Sequence, residues 1–200
     1  SAVPARYGWK YIDDLRNTQN TPSVSALKKQ IGFFHLEWEN EAERQQSLLD
    51  KYASSDFWDR NVWVEESIAE SIDPTFVLCV GLAESTLGKN LTTDGNIGNV
   101  GNTDSGARRD YDGPRDGIRA ISSVVNNRYL GKYTTIDQLS GWWNPIGPIY
   151  ASSQTNWHEN IVKCMSAIKG KYVGNKAAFR LSRAALLIYE REWFTQKQGS

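Results

Sequence analysis

Glu84 is the residue whose surroundings in the sequence best suit acid–base chemistry. It follows Asp73 and Pro74, a suitable N-cap and first helical residue, and then a run of apolar residues that predicts a buried helix. Glu84 would lie in the last turn, where apolar surroundings and the negative end of the helix dipole both raise the pKa of a carboxyl group. A carboxyl group that keeps its proton near neutral pH can act as a general acid. The alternative is a surface glutamate at a frayed helix end.

Two segments near Glu84 carry a resemblance to a known family. Glu84 and Ser85 close the apolar helix, and the segment 96–101 then reads N-I-G-N-V-G. This order resembles the lysozyme-like superfamily, and within it the bacterial peptidoglycan N-acetylglucosaminidases and the lytic transglycosylases. The segment 109–118, R-D-Y-D-G-P-R-D-G-I, is similar to the glucosaminidase pattern in which a strand containing Arg and Tyr runs into a helix. The resemblance covers roughly residues 65–170.

The resemblance implies a fold and an activity. The expected fold is mainly α, of the α+β lysozyme-like type, with a helical catalytic domain and a short hairpin or turn region. The expected activity is hydrolysis of the glycan strands of bacterial peptidoglycan, with Glu84 as the general acid, in a protein that is secreted, in the cell envelope or on a phage virion. Tyr150 resembles the downstream tyrosine that many members aim at the catalytic glutamate and the sugar. The alternative for Tyr150 is a core tyrosine at the start of a helix.

Other residues near these segments are candidates for binding the glycan. Ser85 belongs to the Glu-Ser pair of the resemblance, and Asn99 offers a side-chain amide to sugar hydroxyls. Tyr111, Trp142 and Trp143 offer aromatic faces, which suit the apolar faces of sugar rings. The alternatives are a backbone role for Asn99 in a Gly-rich turn and core packing for most of the tryptophans.

A second carboxylate is needed if hydrolysis inverts the anomeric centre, because one carboxylate must activate water. The acidic residues after the helix are Asp94, Asp104, Asp110 and Asp112. The glucosaminidase resemblance favours Asp94 or Asp104, and the alternative for all four is a role in turns, where Asp is common. Lytic transglycosylases need one glutamate only, but the glycine–leucine–methionine–glutamine segment usual in them is replaced here by residues 98–100, G-N-V. Hydrolysis is therefore expected, with transglycosylation and a non-catalytic glycan-binding or assembly module as alternatives.

Composition excludes several other classes of protein. Lys and Arg together number 23 and equal Asp and Glu, so no basic field predicts nucleic-acid binding. No apolar run approaches the ~20 residues of a membrane span. The two histidines are far apart and no C-x-x-C is present, so we expect no metal, no cofactor and no Ser–His or Cys–His catalysis. Cys79 and Cys164 are either a disulfide or two buried thiols.

The chain is predicted to have two parts, an N-terminal extension over 1–56 and a lysozyme-like catalytic domain over 57–200. Apolar residues recur with alternating spacings of four and three over 23–52, which predicts a long helix after an irregular arm. Because Glu41 and Gln45 interrupt the apolar positions, docking along the catalytic domain is preferred. The alternative is the end of a coiled-coil stalk that mediates self-association or binds a partner.

The rest of the sequence predicts short helices joined by turns. Residues 89–113 are rich in Gly, Asn, Asp and Thr, which favours turns and a short hairpin. Further helices are predicted over 59–71, from Gly113, from Thr134 or Thr135 to Leu139, from Asn156 in a capping box with Glu159, and over 176–197.

Overall fold

The structure is a computed structural model that describes residues 40–129, 131–142 and 149–198. Helices account for nearly all regular structure in these ranges. The α-helices are α1 (40–52), α2 (Arg60–Ile68), α3 (Pro74–Ser85), α4 (Gly113–Val124), α5 (Ile136–Ser140), α6 (Gln154–Lys169) and α7 (Arg183–Gln198). A 3₁₀ turn, Ser55–Phe57, precedes α2, and a π-helix, Val125–Tyr129, continues α4. The prediction of a mainly α fold is confirmed.

The region 89–113 consists of turns. Over the described ranges, β pairing is limited to two isolated bridges, Ile72 with Arg180 and Thr135 with Ala178, and both lie outside this region. The hairpin expected here is therefore absent from the described structure, while the turns are present. The segment is held by side-chain hydrogen bonds, such as that from the Thr93 hydroxyl to the Arg109 carbonyl at 2.7 Å, together with single backbone hydrogen bonds, such as that from the Tyr111 N–H to the Asp94 carbonyl at 2.9 Å.

Helix α3 is the centre of the core and begins as its sequence predicts. The Asp73 carboxylate caps it by accepting a hydrogen bond of 2.9 Å from the backbone N–H of Thr75. Its apolar residues pack against α2, α4 and α6 in one cluster. Cys79 on α3 and Cys164 on α6 form a disulfide, which decides between the two alternatives. In the chain-entropy model, closing a loop of this length stabilises the fold by about 4–5 kcal/mol.

Helix α1 packs on this core. Leu49 is fully buried in the main apolar cluster, and the Gln45 amide donates to the Thr75 hydroxyl at 2.8 Å. The described part of the predicted extension therefore docks on the rest of the chain. Residues 1–39, on which the other part of that prediction falls, lie outside the described residues.

Several predicted helix boundaries are wrong. Helix α6 begins at Gln154, so Asn156 and Glu159 lie inside it and form no capping box. The last helix begins at Arg183, because the preceding residues take part in backbone pairing with distant segments: the backbone of Leu181 donates to Ser71 at 2.9 Å. Local sequence patterns do not report such long-range pairing.

Candidate active site

A cleft of about 750 Å³ lies at the C-terminal end of α3. Glu84 lines it together with three other segments: the turns that include 98–104 and Arg108, the π-helix end of α4, and residues 150–152. A π-helical turn within a longer helix is often found at functional sites. The cleft therefore joins regions that are far apart in the chain around one carboxyl group.

The end of α3 is strained, and tertiary contacts hold it. Thr86 and Leu87 both have left-handed backbones, with φ of 52°. This conformation costs a residue with a Cβ about 1–2 kcal/mol. The Leu87 side chain is fully buried, and its backbone N–H donates to the Gly81 carbonyl at 3.1 Å. The helix thus stops directly after Glu84 and Ser85.

Ser85 links the end of α3 to the segment 96–101 and does not line the cleft. Its side chain is buried, donates to the Ile97 carbonyl at 2.8 Å, and accepts from the Gly88 backbone at 3.2 Å. The structure thus places Ser85 where it positions the segment 96–101 beside Glu84.

The segment 96–101 presents Asn99 to Glu84. The buried Asn96 side chain holds the turn by accepting from the Val100 N–H at 2.9 Å and donating to the Val100 carbonyl at 3.0 Å. Asn99 has a left-handed backbone, which asparagine tolerates better than most residues. Its amide donates to the Glu84 backbone carbonyl at 3.0 Å and to the Glu84 carboxylate Oε2 at 3.3 Å.

Close packing against α4 fixes the position of this segment. A Cβ on Gly98 would lie 2.4 Å from the Ile121 side chain. A Cβ on Gly117, in α4, would lie 1.8 Å from the Gly95 carbonyl oxygen. Both positions therefore require glycine, and both belong to the segments that carry the family resemblance.

Glu84 is half-buried and has neutral hydrogen-bonding neighbours. Burial raises the pKa of its carboxyl group, and the Asn99 amide and the Trp157 indole offset only part of the rise. Among the described residues, no Lys, Arg or His forms an ion pair with it. The Glu84 carboxyl therefore keeps its proton to a higher pH than a solvated glutamate does.

Tyr150 lines the same cleft as Glu84. Its ring centroid is 4.9 Å from that of Trp157 and 5.5 Å from that of Tyr129. Burial, the charge of Glu84 and the proximity of Tyr129 raise the pKa of the Tyr150 phenol well above its usual value. Tyr150 therefore offers a neutral O–H donor at the cleft.

The four candidate aspartates separate into two groups. Asp104 is exposed on a turn and lines the cleft, whereas Asp94, Asp110 and Asp112 are not among the lining residues. Asp110 accepts a hydrogen bond of 3.1 Å from the Asp94 backbone, and Asp112 is the N-cap residue of α4. Asp104 is thus the candidate second carboxylate that the structure brings to the same cleft as Glu84.

The candidate aromatic residues are not part of the described cleft lining. Tyr111 lies under the Arg109 guanidinium, 5.1 Å from it, and Trp142 stacks on His158 with 4.8 Å between the ring centroids. Trp143 lies outside the described residues. Three cleft residues that the sequence did not suggest are Arg108, Arg128 and Tyr129.

Ser140 and His158 meet in the core, although they gave no catalytic signal in the sequence. The Ser140 hydroxyl lies 2.9 Å from His158 Nδ1, and Asn175 Oδ1 lies 3.0 Å from His158 Nε2. Ser140 and His158 are each only 1% exposed. Because no substrate can reach that serine, the group is a structural connection between α5, α6 and the chain after α6.

Comparison of the chain with protein-family models, with curated proteins and with solved structures found no match. Within the described ranges, no helix combines the length and apolar character needed to cross a bilayer. The same ranges contain no group of three or more His, Cys, Asp or Glu side chains arranged to hold a metal ion.

Proposed function

We propose that this protein is a glycosidase that cleaves the glycan strands of bacterial peptidoglycan, with Glu84 as the general acid. The observation that carries the proposal is the state of Glu84: a half-buried carboxyl on a cleft, with raised pKa and no cationic partner among the described residues. Glycoside cleavage requires such a group to protonate the leaving oxygen. The substrate class comes from the resemblance carried by Glu84, Ser85 and the segments 96–101 and 109–118.

The proposed reaction begins with proton transfer. The protonated Glu84 carboxyl donates its proton to the glycosidic oxygen as the bond to the anomeric carbon breaks. The Asn99 amide, 3.3 Å from Glu84 Oε2, then stabilises the resulting carboxylate. The Tyr150 hydroxyl supplies a neutral donor to the carboxyl or to the N-acetyl group of the substrate.

Hydrolysis completes the proposed reaction, with Asp104 as the residue that activates water. Asp104 is suited to this role because it lines the same cleft and its carboxylate is exposed. The second candidate is transglycosylation, in which Glu84 returns as the base and the muramyl hydroxyl closes a ring. Transglycosylation is favoured by one observation: no described contact orients the Asp104 side chain for an attack by water.

The disulfide agrees with a site of action outside the cytoplasm. Disulfides persist in oxidising compartments, and Cys79 and Cys164 join the helix that carries Glu84 to the helix that carries Trp157. Peptidoglycan is also reached from outside the cytoplasm. We therefore propose that the protein acts as a secreted, envelope or virion-associated protein.

The test is cleavage of purified peptidoglycan by wild type and by Glu84→Gln. We expect turbidity to fall with wild type, and the rate to drop by about 10²–10⁴-fold in the variant, since the variant removes the acid and keeps the shape. Glu159→Gln, an exposed glutamate on α6, is the matched control and should cleave at the wild-type rate. Equal cleavage by Glu84→Gln would remove Glu84 from the proposed role.

Mass spectrometry of the products separates the two reactions. A reducing end that has gained water, with loss of cleavage in Asp104→Asn, indicates hydrolysis. An anhydromuramyl end, with Asp104→Asn still active, indicates that Glu84 works alone. Wild-type protein that binds glycan strands without cutting them indicates a binding module.

A further inference from the structure

Trp157 occupies an unusual position beside the proposed acid. Its side chain is 5% exposed and is packed by Tyr150 and by Phe76 of α3, whose ring centroid is 6.4 Å away. The indole Nε1 is fully buried and forms no hydrogen bond with any acceptor among the described residues. Leaving a buried N–H without an acceptor is unfavourable, and buried tryptophans usually satisfy this group.

The same indole is a neighbour of the Glu84 carboxyl. Its proximity lowers the pKa of the Glu84 carboxyl, as the Asn99 amide does, although both are outweighed by burial. Asn99 already makes its hydrogen bond to Oε2 at 3.3 Å, whereas the Trp157 N–H still lacks an acceptor in good geometry. The Trp157 N–H is therefore able to donate a further hydrogen bond at this site.

We propose that Trp157 is a positioning residue for Glu84, and that its indole N–H donates a hydrogen bond to the carboxylate that forms when Glu84 gives up its proton. This inference rests on the proposed function for its catalytic meaning. Before proton transfer, the Glu84 carboxyl is neutral and needs one donor fewer. After transfer, the carboxylate carries a negative charge in a half-buried place, where a hydrogen bond to a charged group is stronger.

The rigid surroundings of Trp157 make this role physically sound. Its place in the first part of α6 is tied to α3 by the Cys79–Cys164 disulfide, so the two helices that carry the donor and the acceptor move little relative to each other. The rings of Phe76 and Tyr150 pack against the indole and limit its movement. A donor that is oriented before the charge develops stabilises the transition state without reorganising.

The experiment replaces the N–H while keeping the ring. Trp157→Phe removes the donor, and 3-benzothienylalanine at position 157 puts sulfur in place of the N–H in a ring of almost the same shape. The matched control is Trp63→Phe, because Trp63 is also buried and its Nε1 already donates to the Phe57 carbonyl at 2.8 Å. The other charged or titratable side chains on the cleft, Asp104, Arg108, Arg128, Tyr129 and Tyr150, are unchanged in all three variants.

Two readouts report the pKa of Glu84: the alkaline limb of kcat against pH, and a ¹³C NMR titration of the glutamate carboxyl carbons without substrate. Losing the donor should raise the pKa of Glu84 in both readouts and lower kcat by about 10–100-fold. Trp63→Phe should leave this pKa and kcat unchanged. A merely structural loss would admit water to Glu84 and move its pKa downward.

The outcomes separate this inference from the proposed function. A downward or unchanged titration with 3-benzothienylalanine would overturn the role of Trp157. If wild type cuts no glycan but the NMR titration moves upward in both substituted proteins, the contact between Trp157 and Glu84 stands and the proposed function fails.

Discussion

Glu84 on the cleft and Glu41 on α1 are both glutamates largely removed from water, yet their pKa values move in opposite directions. Burial raises the pKa of each carboxyl group. At Glu41 this is outweighed by the Lys169 ammonium at 2.9 Å and the Thr75 hydroxyl at 2.6 Å, so the net shift is downward. At Glu84 the neighbouring donors are neutral, so the net shift is upward.

The opposite pKa shifts distinguish a carboxylate that stabilises the fold, Glu41, from a carboxyl group that can act as an acid, Glu84. Lys169 also pairs with Asp73 at 2.8 Å, and this buried cluster joins α1, α3 and α6. Removing one member of such a cluster leaves uncompensated charge in the core. Glu84 forms no ion pair within the described structure, so it can lose and regain a proton without breaking one.

The largest expected effect is that of Glu84→Gln, which should lose cleavage and gain stability. A carboxyl with a raised folded-state pKa destabilises the fold as pH rises through its usual value of 4.5 and up to the raised one. Replacing it with a neutral amide removes that cost, so the melting temperature at pH 7 should rise. A melting temperature below that of wild type would contradict the electrostatic account of Glu84.

Lys169→Met should have the opposite effect. It leaves Glu41 and Asp73 without their cation, at a cost of about 3–5 kcal/mol in the free energy of unfolding, measured by urea titration at pH 7. Asp116→Asn, which breaks the exposed pair with Arg119, is the control and should cost no more than about 1 kcal/mol. Equal costs for the two variants would remove the distinction between buried and exposed pairs.

The cost of Lys169→Met should depend on pH. Glu41 has a lowered pKa in the folded state. Its charge therefore stabilises the fold above pH 4.5, and this stabilisation is lost as the pH falls through the folded-state pKa. The difference in unfolding free energy between wild type and Lys169→Met should therefore be largest near neutral pH and shrink below pH 4.5. A difference that grows on acidification would show that Glu41 is not the paired group.

Tyr150→Phe tests the smallest effect. Phenylalanine keeps the ring contact with Trp157 and removes only the hydroxyl, so kcat should fall about 10-fold with little loss of stability. Tyr133→Phe, outside the cleft lining, should keep the wild-type kcat. Equal rates for all three proteins would assign Tyr150 to packing alone.

The candidate site was predictable where short-range patterns determine geometry. Asp73 and Pro74 mark the start of α3 through capping, and the apolar run that follows brings Glu84 close to the end of the helix, where tertiary contacts hold the last turn. The segment 96–101 was recognisable because its glycines lie where a larger side chain does not fit. A Cβ on Gly98, for example, would clash with the Ile121 side chain. Trp142 lies outside the described cleft lining, and its stacking on His158 joins two separate segments, a contact that short-range patterns do not report.

The sequence by itself determined the helical class, the start of α3 and the presence of one carboxyl near its end, because capping and periodicity act over a few residues. Only the tertiary structure decided which groups surround that carboxyl. The pairing of Cys79 with Cys164, the buried Trp157 indole beside Glu84 and the absence of an ion pair for Glu84 within the described residues all depend on how distant helices pack. The pKa of a buried group is set by those distant neighbours, and that is why the chemistry of Glu84 depends on the fold.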